Sequence, residues 1–243
     1  MELAQQTTVI ILAGGRGTRI AALAPDTPKP MITVAEQPFL EWIIKRLNRE
    51  HFTQILLSIG YKADVVIKWL ESRATSPAGQ NLRYHLEQQP LGTGGAIADA
   101  LTKVHTEYVL VLNGDTLLLT DFLPAMQKLV QGKLDGVIIA RSLEDTGRYG
   151  RLNASNGLLK EFQEKMPGAG LINGGIYAFR TDWLKQHIGA GISSIEVDIF
   201  PRMLREGAKI GVEVTTAPFI DIGTPESLGE ASAFVTTHAE YFR

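Results

Sequence analysis

Short apolar runs alternate with amphipathic stretches through the first half of this chain. The apolar runs predict buried strands at Val9–Ala13, Gln54–Ile59, Leu82–Leu86 and Tyr108–Leu112. Between them, apolar residues recur at helical spacing and predict helices at Phe39–Arg49, Ala63–Arg73 and Gly94–Leu101. Because strands that alternate with helices form parallel sheets, we expect an α/β fold with a mainly parallel sheet and helices on both faces.

The alternation loosens after residue 120. The pattern there predicts a helix at Asp121–Val130, a strand at Gly136–Arg141, a hairpin over Leu152–Phe162, a strand at Ile172–Phe179, a helix at Glu196–Arg205 and strands at Ile210–Thr215 and Phe219–Ile222. Thr224 and Pro225 suit the N-cap and first position of a final helix. The chain contains no Gly/Ser linker or repeat. We therefore expect one domain over residues 1–243, with a small second lobe after residue 120.

The composition narrows the classes of partner. The chain has 243 residues and a net charge of -2, and its 24 Lys and Arg are scattered, which argues against a nucleic-acid surface. The absence of cysteine excludes disulfides, thiolate zinc sites and a cysteine nucleophile. The polar stretch Met1–Thr8 lacks the charged leader of a signal peptide, and no apolar run approaches the ~20 residues of a membrane span. We expect a cytoplasmic protein with no membrane partner.

A glycine-rich segment, Leu12–Arg19, follows the first strand directly. Its glycines, at positions 14, 15 and 17, allow backbone amides to approach a phosphate closely. It fits two common glycine motifs poorly, because a Walker loop requires Gly-Lys-Ser/Thr and a dinucleotide fingerprint requires glycine where Ile20 stands. On this segment alone, a glycine-rich loop without a ligand remains an alternative.

Pro28-Lys29-Pro30 follows ten residues beyond Arg19. Two prolines fix the backbone on either side of the lysine. An ammonium held in this way, together with the Arg19 guanidinium, suits a phosphate chain that gains negative charge as pyrophosphate leaves. Prolines around a surface lysine also occur in ordinary loops, so Lys29 alone does not indicate a phosphate-binding site.

Two aspartates end predicted strands. Asp115 follows the apolar run Val109–Leu112 and the pair Asn113-Gly114, and Asp221 follows Phe219-Ile220. Carboxylates at strand ends lie on the ligand-binding edge of an open α/β sheet, where two of them can hold one Mg²⁺. The alternative is that each carboxylate caps the turn that follows it.

Together, Leu12–Arg19 and Pro28-Lys29-Pro30 resemble the signature of the sugar-1-phosphate nucleotidyltransferases, and the resemblance extends from Val9 to about Ala233. It implies a Rossmann-like, GT-A-like fold in which residues 1–120 mainly bind the nucleotide and residues 121–235 mainly bind the sugar phosphate. It also implies Arg19 and Lys29 as catalytic residues. Asp115 and Asp221 are implied to hold Mg²⁺, with Asp221 returning to the nucleotide half.

The resemblance assigns further residues to each substrate. Those implied for the nucleotide are Leu12, Ala13, Gly14, Gly15, Gly17, Thr18, Gln88, Gly92, Thr93 and Asp115. Those implied for the sugar phosphate are Gly150, Glu164, Lys165 and Asn173. Without the resemblance, the glycine cluster Leu91–Ala96 predicts a tight loop with a helix N-cap. Glu196 and Asp198 also fit a family-like segment, although the start of a surface helix explains them nearly as well.

Within the family, the motifs around Lys29, Gly92, Gly150 and Asn173 are most similar to guanylyltransferases that use D-glycero-α-D-manno-heptose 1-phosphate. This implies GTP and that sugar phosphate as substrates, and GDP-heptose for bacterial surface glycans as the product. Ile20–Ala24 departs from the Leu and Pro of many relatives and leaves the base open. Mannose 1-phosphate guanylyltransferases and uridylyl- or thymidylyltransferases therefore remain alternatives.

Two alternatives come from other classes of protein. A non-catalytic nucleotide-sugar sensor would be expected to lose Lys29, Asp115 or Asp221, and all three are present. A nicotinamide-dependent oxidoreductase would be expected to carry a glycine of the dinucleotide fingerprint at the position where Ile20 stands. No sequence signal indicates an oligomeric state.

Overall fold

The computed structural model describes residues 2–17, 19–20, 24–73 and 80–243. The strands in these ranges are β1 (Thr7–Leu12), β2 (Thr33–Val34), β3 (Gln37–Pro38), β4 (Gln54–Ile59), β5 (Asn81–Leu86), β6 (Tyr108–Asn113), β7 (Thr116–Leu118), β8 (Gly136–Leu143), β9 (Gly150–Ser155), β10 (Leu158–Lys165), β11 (Gly170–Arg180), β12 (Ile210–Thr215) and β13 (Phe219–Asp221). The α-helices are α1 (Glu2–Gln5), α2 (Phe39–Arg49), α3 (Ala63–Ser72), α4 (Gly92–Ala100), α5 (Leu123–Gln131), α6 (Thr181–His187), α7 (Phe200–Arg205) and α8 (Pro225–Thr237). Shorter turns of 3₁₀-helix occur at Lys29–Met31, Leu101–Lys103 and Ala239–Phe242, and a π-helical turn occurs at Ile195–Ile199.

Within the described ranges, one large mixed sheet has the strand order β5-β4-β1-β6-β11-β8-β12-β10-β9. The first four strands are parallel to one another. β11 runs antiparallel to β6 and β8, whereas β12 is parallel to β8. Two small antiparallel pairs, β7 with β13 and β2 with β3, lie outside the large sheet. The parallel half confirms the predicted fold class.

The central strands of the large sheet are buried on both faces, which explains their continuous apolar sequences. On β1, Val9 and Ile11 belong to one apolar cluster and Ile10 to the other, and all three are fully buried. Helix α2 covers the first face with residues such as Ile43, and helices α4 and α7 cover the second with residues such as Ile97. A central strand with both faces covered leaves only its carboxyl end free for ligand chemistry.

The predicted final helix is confirmed, because the Thr224 side chain accepts a hydrogen bond from the Ser227 amide and Pro225 begins α8. The prediction of one helix over Glu196–Arg205 is wrong in form, because a π-helical turn precedes α7. Pro201 stands in the first turn of α7 and has no amide proton to donate, so α-helical hydrogen bonding cannot run through this point.

Short elements were not predicted. They are α1, α6, β2, β3 and β7, none longer than seven residues. Helix α5 begins at Leu123 rather than Asp121, whose carboxylate instead accepts a hydrogen bond from Arg46. No helix in the described ranges has the length and apolar character needed to cross a membrane.

Candidate functional site

A cavity of about 500 Å³ opens at the carboxyl ends of the parallel strands. Its walls come from the segments that directly follow β1, β4 and β5, and from the end of β6. Ligands of open α/β sheets bind at this edge. The predicted residues that line the cavity are Leu12, Gly14, Gly15, Gly17, Lys29, Gln88, Gly92, Thr93 and Asp115.

Other predicted residues lie elsewhere. Among the described residues, Ala13 is buried and Arg19 is exposed, and neither lines this cavity. Thr18 lies outside the described residues. Gly150 and Lys165 face each other in the β9–β10 register, and both are exposed. Glu164 lies on β10, but its side chain is outside the described part.

The glycine loop is held between two side chains. A Cβ added at Gly14 would overlap the Glu87 carboxylate, and one added at Gly17, where φ is +58°, would lie 3.1 Å from Lys29 Cε. A Cβ at Gly15 would meet nothing within 4 Å, so this residue borders open space. Glycine is therefore required at 14 and 17 for packing, whereas at 15 it leaves room for a ligand.

Lys29 begins the 3₁₀ turn Lys29–Met31. Pro28 is extended, with φ of -67°, and its carbonyl accepts the Met31 amide at 2.8 Å. The Lys29 side chain is only 11% exposed, and its Nζ donates to Asp115 Oδ2 at 2.8 Å. The lysine is thus held at the cavity wall by proline geometry and by one ion pair.

Asp115 and Asp221 are brought together by the small β7–β13 sheet. Asp221 is in register with Thr116, and the Ile222 amide donates to the Asp115 carbonyl at 2.9 Å. Asp221 Oδ2 accepts from the Tyr149 hydroxyl at 2.9 Å. Burial, reinforced by the Asp221 charge, raises the pKa of Tyr149 to about 12, so the phenol stays a donor.

Within the described part of the chain, an oxygen atom without a hydrogen-bond partner lies at the same cavity wall as Asp115. Asn113 Oδ1 is buried at the same wall and has no hydrogen-bond partner within the described residues. In that part of the chain, no group of three or more Asp, Glu, His or Cys side chains is placed to hold a metal. Magnesium commonly binds through one or two carboxylates and substrate phosphates, so a site with two aspartates would be chemically sufficient.

Glu87 was missed by sequence reasoning. It directly follows β5 and lines the cavity, and its Oε1 accepts from Ser58 Oγ at 3.0 Å. Burial raises the pKa of Glu87 above its usual range, partly offset by the Ser58 hydrogen bond. Its position beside the predicted Gln88, at the end of a strand, was the available signal.

The second glycine cluster packs against another segment of the chain. A Cβ at Gly92 would lie 2.5 Å from the Ser193 carbonyl oxygen, and one at Gly95 would overlap the Gly191 carbonyl. The Gly94 amide donates to Ser193 O at 2.8 Å. The Gly94 amide at the start of α4 therefore already has a protein acceptor.

Gly95→Ala is expected to destabilise the fold by about 1–3 kcal/mol, because its methyl group would overlap a backbone carbonyl that cannot rotate away. Thermal unfolding would show a lower midpoint. Gly229→Ala is the matched control, since a Cβ there meets nothing within 4 Å in the interior of α8. That substitution should raise stability by up to about 1 kcal/mol. Equal midpoints for the two variants would contradict the close packing at Gly95.

The comparisons with known proteins agree with this geometry. Residues 8–238 match the family model described as nucleotidyl transferase. The chain is 33% identical over 223 residues to D-glycero-alpha-D-manno-heptose 1-phosphate guanylyltransferase of Aneurinibacillus thermoaerophilus, across 91% of this chain and 95% of that protein. It is 35% identical over 222 residues to the Campylobacter jejuni protein of the same name, across 89% and 95%.

A solved structure is similar over nearly the same length. HddC from Yersinia pseudotuberculosis, in complex with GMP-PN, matches with a TM-score of 0.80 and 33% identity. The match covers 93% of this chain and 98% of that one. The predicted resemblance and the nucleotidyltransferase fold are confirmed. The chain belongs to the nucleotidyl transferase family.

Proposed function

We propose that the chain transfers GMP from GTP to D-glycero-α-D-manno-heptose 1-phosphate, giving GDP-heptose and pyrophosphate, with Mg²⁺ as the metal. The observation that carries the proposal is the meeting of the glycine loop, Lys29 and Asp115 at one cavity, with Asp221 beside Asp115. The relatives that guanylate this heptose phosphate support the choice of substrates. We further propose that the enzyme is cytoplasmic and that its product supplies lipopolysaccharide or capsule synthesis.

Guanine is favoured by the Glu87 carboxylate in the cavity wall. A carboxylate accepts hydrogen bonds only, and two adjacent donors match its two oxygens best. Guanine carries N1–H and N2–H₂ side by side, whereas adenine and the pyrimidines do not present this pair. We propose that Glu87, held by Ser58 Oγ at 3.0 Å, receives this edge of the base.

The proposed reaction needs no general base. The sugar phosphate oxygen is already anionic near neutral pH, so it attacks the α-phosphorus directly, and the bond from the α-phosphorus to the bridging oxygen breaks. The obstacle is repulsion between two anions. Lys29 would neutralise part of that charge, and the loop amides at Gly14 and Gly15 would orient the phosphates. Bound at Asp115 and Asp221, Mg²⁺ would supply further charge neutralisation and alignment.

Lys165 and Arg19 complete the proposal at the edges of the site. Lys165 lies on the exposed β9–β10 hairpin, where an ammonium can bind the phosphate of the sugar. Gly150, its register partner, has no side chain to exclude a sugar ring. Arg19 is exposed near the end of the glycine loop, and its catalytic role is proposed from the family signature.

The direct test is pyrophosphate release from a matrix of nucleoside triphosphates against sugar 1-phosphates. The proposal expects the highest kcat/KM for GTP with manno-heptose 1-phosphate. Preference for mannose 1-phosphate would change the sugar and keep the nucleotide. Product formed only from UTP or dTTP would overturn the guanylyl assignment, and binding without any pyrophosphate release would indicate a nucleotide-sugar sensor.

Glu87→Gln is expected to reduce discrimination between GTP and ITP, which lacks the 2-amino group. A hydrogen bond to a charged group contributes about 1.5–3 kcal/mol, so the native enzyme should prefer GTP by roughly 10- to 100-fold in kcat/KM. The variant should lose most of that ratio, because the Gln amide group is itself a donor. Glu206→Gln, an exposed carboxylate after α7, is the matched control. An unchanged GTP/ITP ratio in Glu87→Gln would remove Glu87 from base recognition.

A further inference from the structure

The Glu196 carboxylate joins two parts of the protein that are far apart in sequence. Its Oε1 accepts from the Tyr177 hydroxyl at 3.0 Å and from Asn173 Nδ2 at 3.4 Å, both on β11. Its Oε2 accepts from Thr93 Oγ1 at 3.3 Å, at the start of α4, and from Ser194 Oγ at 3.0 Å. One oxygen therefore faces β11, and the other contacts Thr93, which lines the cavity.

The backbone around Glu196 is bound to α4 as well. The Ile195 amide donates to Thr93 Oγ1 at 2.9 Å, and the Ser193 amide donates to the Leu91 carbonyl at 2.9 Å. With the bond from the Gly94 amide to Ser193 O, the segment follows the first turn of α4 closely. The π-helical turn Ile195–Ile199 begins here, and such turns often occur at functional sites.

The hydroxyl of Tyr177 carries the contact onto β11. It donates to Glu196 and accepts from Asn173 Nδ2 at 2.6 Å. Burial raises the pKa of Tyr177 well above its usual value, and the Glu196 charge adds to the effect, so the phenol stays a donor. Asn173 Oδ1 in turn accepts the Gly175 amide at 2.9 Å, which fixes the orientation of the side-chain amide.

We propose that Glu196 is a positioning residue that sets Thr93, on the nucleotide side, and Asn173, on the sugar side, in one hydrogen-bonded junction. Neither contact requires Glu196 to touch a substrate. Because all four side-chain donors need an acceptor, a carboxylate is the only side chain of this length that satisfies them. The inference rests on the proposed function for the assignment of Asn173 to the sugar phosphate.

Glu196→Gln keeps the shape of the side chain but replaces one carboxylate oxygen with an NH₂ group, which then faces two of the four donors. Thr93 and Asn173 should both move from their set positions. We expect kcat/KM to fall about tenfold or more for GTP and for the sugar phosphate alike, since small errors in position reduce rate strongly. Steady-state kinetics with each substrate varied in turn gives both values.

Asp198→Ala is the structural control. Asp198 is exposed on the same π-helical turn, and within the described ranges its Oδ2 accepts one hydrogen bond, from the Ser194 amide at 2.7 Å. Loss of that bond loosens the turn without breaking the junction, so kcat/KM for both substrates should stay within about twofold of native. Equal losses in Asp198→Ala and Glu196→Gln would mean that Glu196 only supports the turn, and would overturn the proposal.

A double-mutant cycle with Thr93→Val tests whether Glu196 acts through Thr93. The expected result is that Glu196→Gln costs much less in the Thr93→Val background than alone. Additive losses, or an effect on the KM of only one substrate, would overturn the junction. If the native enzyme releases no pyrophosphate, the proposed function fails instead. The junction would then be tested by measuring GTP binding by calorimetry. Glu196→Gln should weaken that binding and Asp198→Ala should not.

Discussion

Replacing Lys29 with alanine is expected to slow turnover by a factor of about 10²–10³. This corresponds to the roughly 3–4 kcal/mol that one positioned donor contributes to the transition state. The size of the effect follows from the geometry, since the Lys29 side chain is 11% exposed, lies at the cavity wall and is held by Pro28 and Asp115. Single-turnover pyrophosphate release at saturating substrates measures the chemical step directly.

A control separates charge from fold. Lys68→Ala removes a lysine whose side chain is 79% exposed on α3, and it should leave the rate unchanged. The melting temperature of Lys29→Ala should be recorded in parallel, because the substitution also leaves Asp115 without its ion-pair partner. A folded Lys29→Ala protein that turned over near the native rate would contradict a catalytic role for Lys29.

Asp221→Asn is expected to raise the Mg²⁺ concentration for half-maximal activity by at least about tenfold, because it removes one of two proposed carboxylate ligands. Chelation with EDTA should abolish turnover of the native enzyme, and added Mg²⁺ should restore it.

Tyr149→Phe removes only the hydroxyl that donates to Asp221 Oδ2. Residues that hydrogen-bond to a metal ligand typically contribute 10–100-fold to metal affinity. Tyr149→Phe should therefore also raise the Mg²⁺ concentration for half-maximal activity, but by less than Asp221→Asn does.

Asp64→Asn is the matched control for the metal titration, since this carboxylate is 69% exposed on α3 and does not line the cavity. Its Mg²⁺ dependence should equal that of the native enzyme. If Asp221→Asn gave the native Mg²⁺ curve, Asp221 would be left with the turn-capping role, in which its Oδ1 accepts the Gly223 amide at 2.9 Å.

Much of the fold could be predicted because burial on both sheet faces leaves a strong trace in the sequence. The central strands β1, β4 and β6 are almost continuously apolar, and α2 carries its apolar residues at helical spacing. The elements that escaped prediction are too short to establish a period. β7, with three residues, is held in place by its pairing with β13 and not by local preference.

The residues of the candidate site likewise divide into those that the local sequence indicates and those whose surroundings come from distant parts of the chain. Lys29 and the two aspartates stand in local contexts, a proline pair and strand ends, that indicate chemistry directly. Glu87 also follows a strand, but its hydrogen-bond partner is not local, and no local context indicates a role for Glu196. Their surroundings depend on Ser58, 29 positions from Glu87, and on Thr93, 103 positions from Glu196. At the start of α4, the resemblance implied that Gly92 and Thr93 bind the nucleotide, and both line the cavity. The local sequence did not show that Gly92 and Gly95 also approach carbonyl groups of the distant segment 191–193.

The pairing of β7 with β13 has a consequence for biosynthesis. A nascent chain that has emerged as far as β12 already contains the glycine loop, Lys29 and Asp115, but β13 has not been made. Domains begin to fold from the N-terminus during synthesis, and long-range strand pairing comes late. The second of the two proposed metal ligands, Asp221, is thus made only in the last stage of translation. An unfinished polypeptide would contain the glycine loop without the complete proposed metal site.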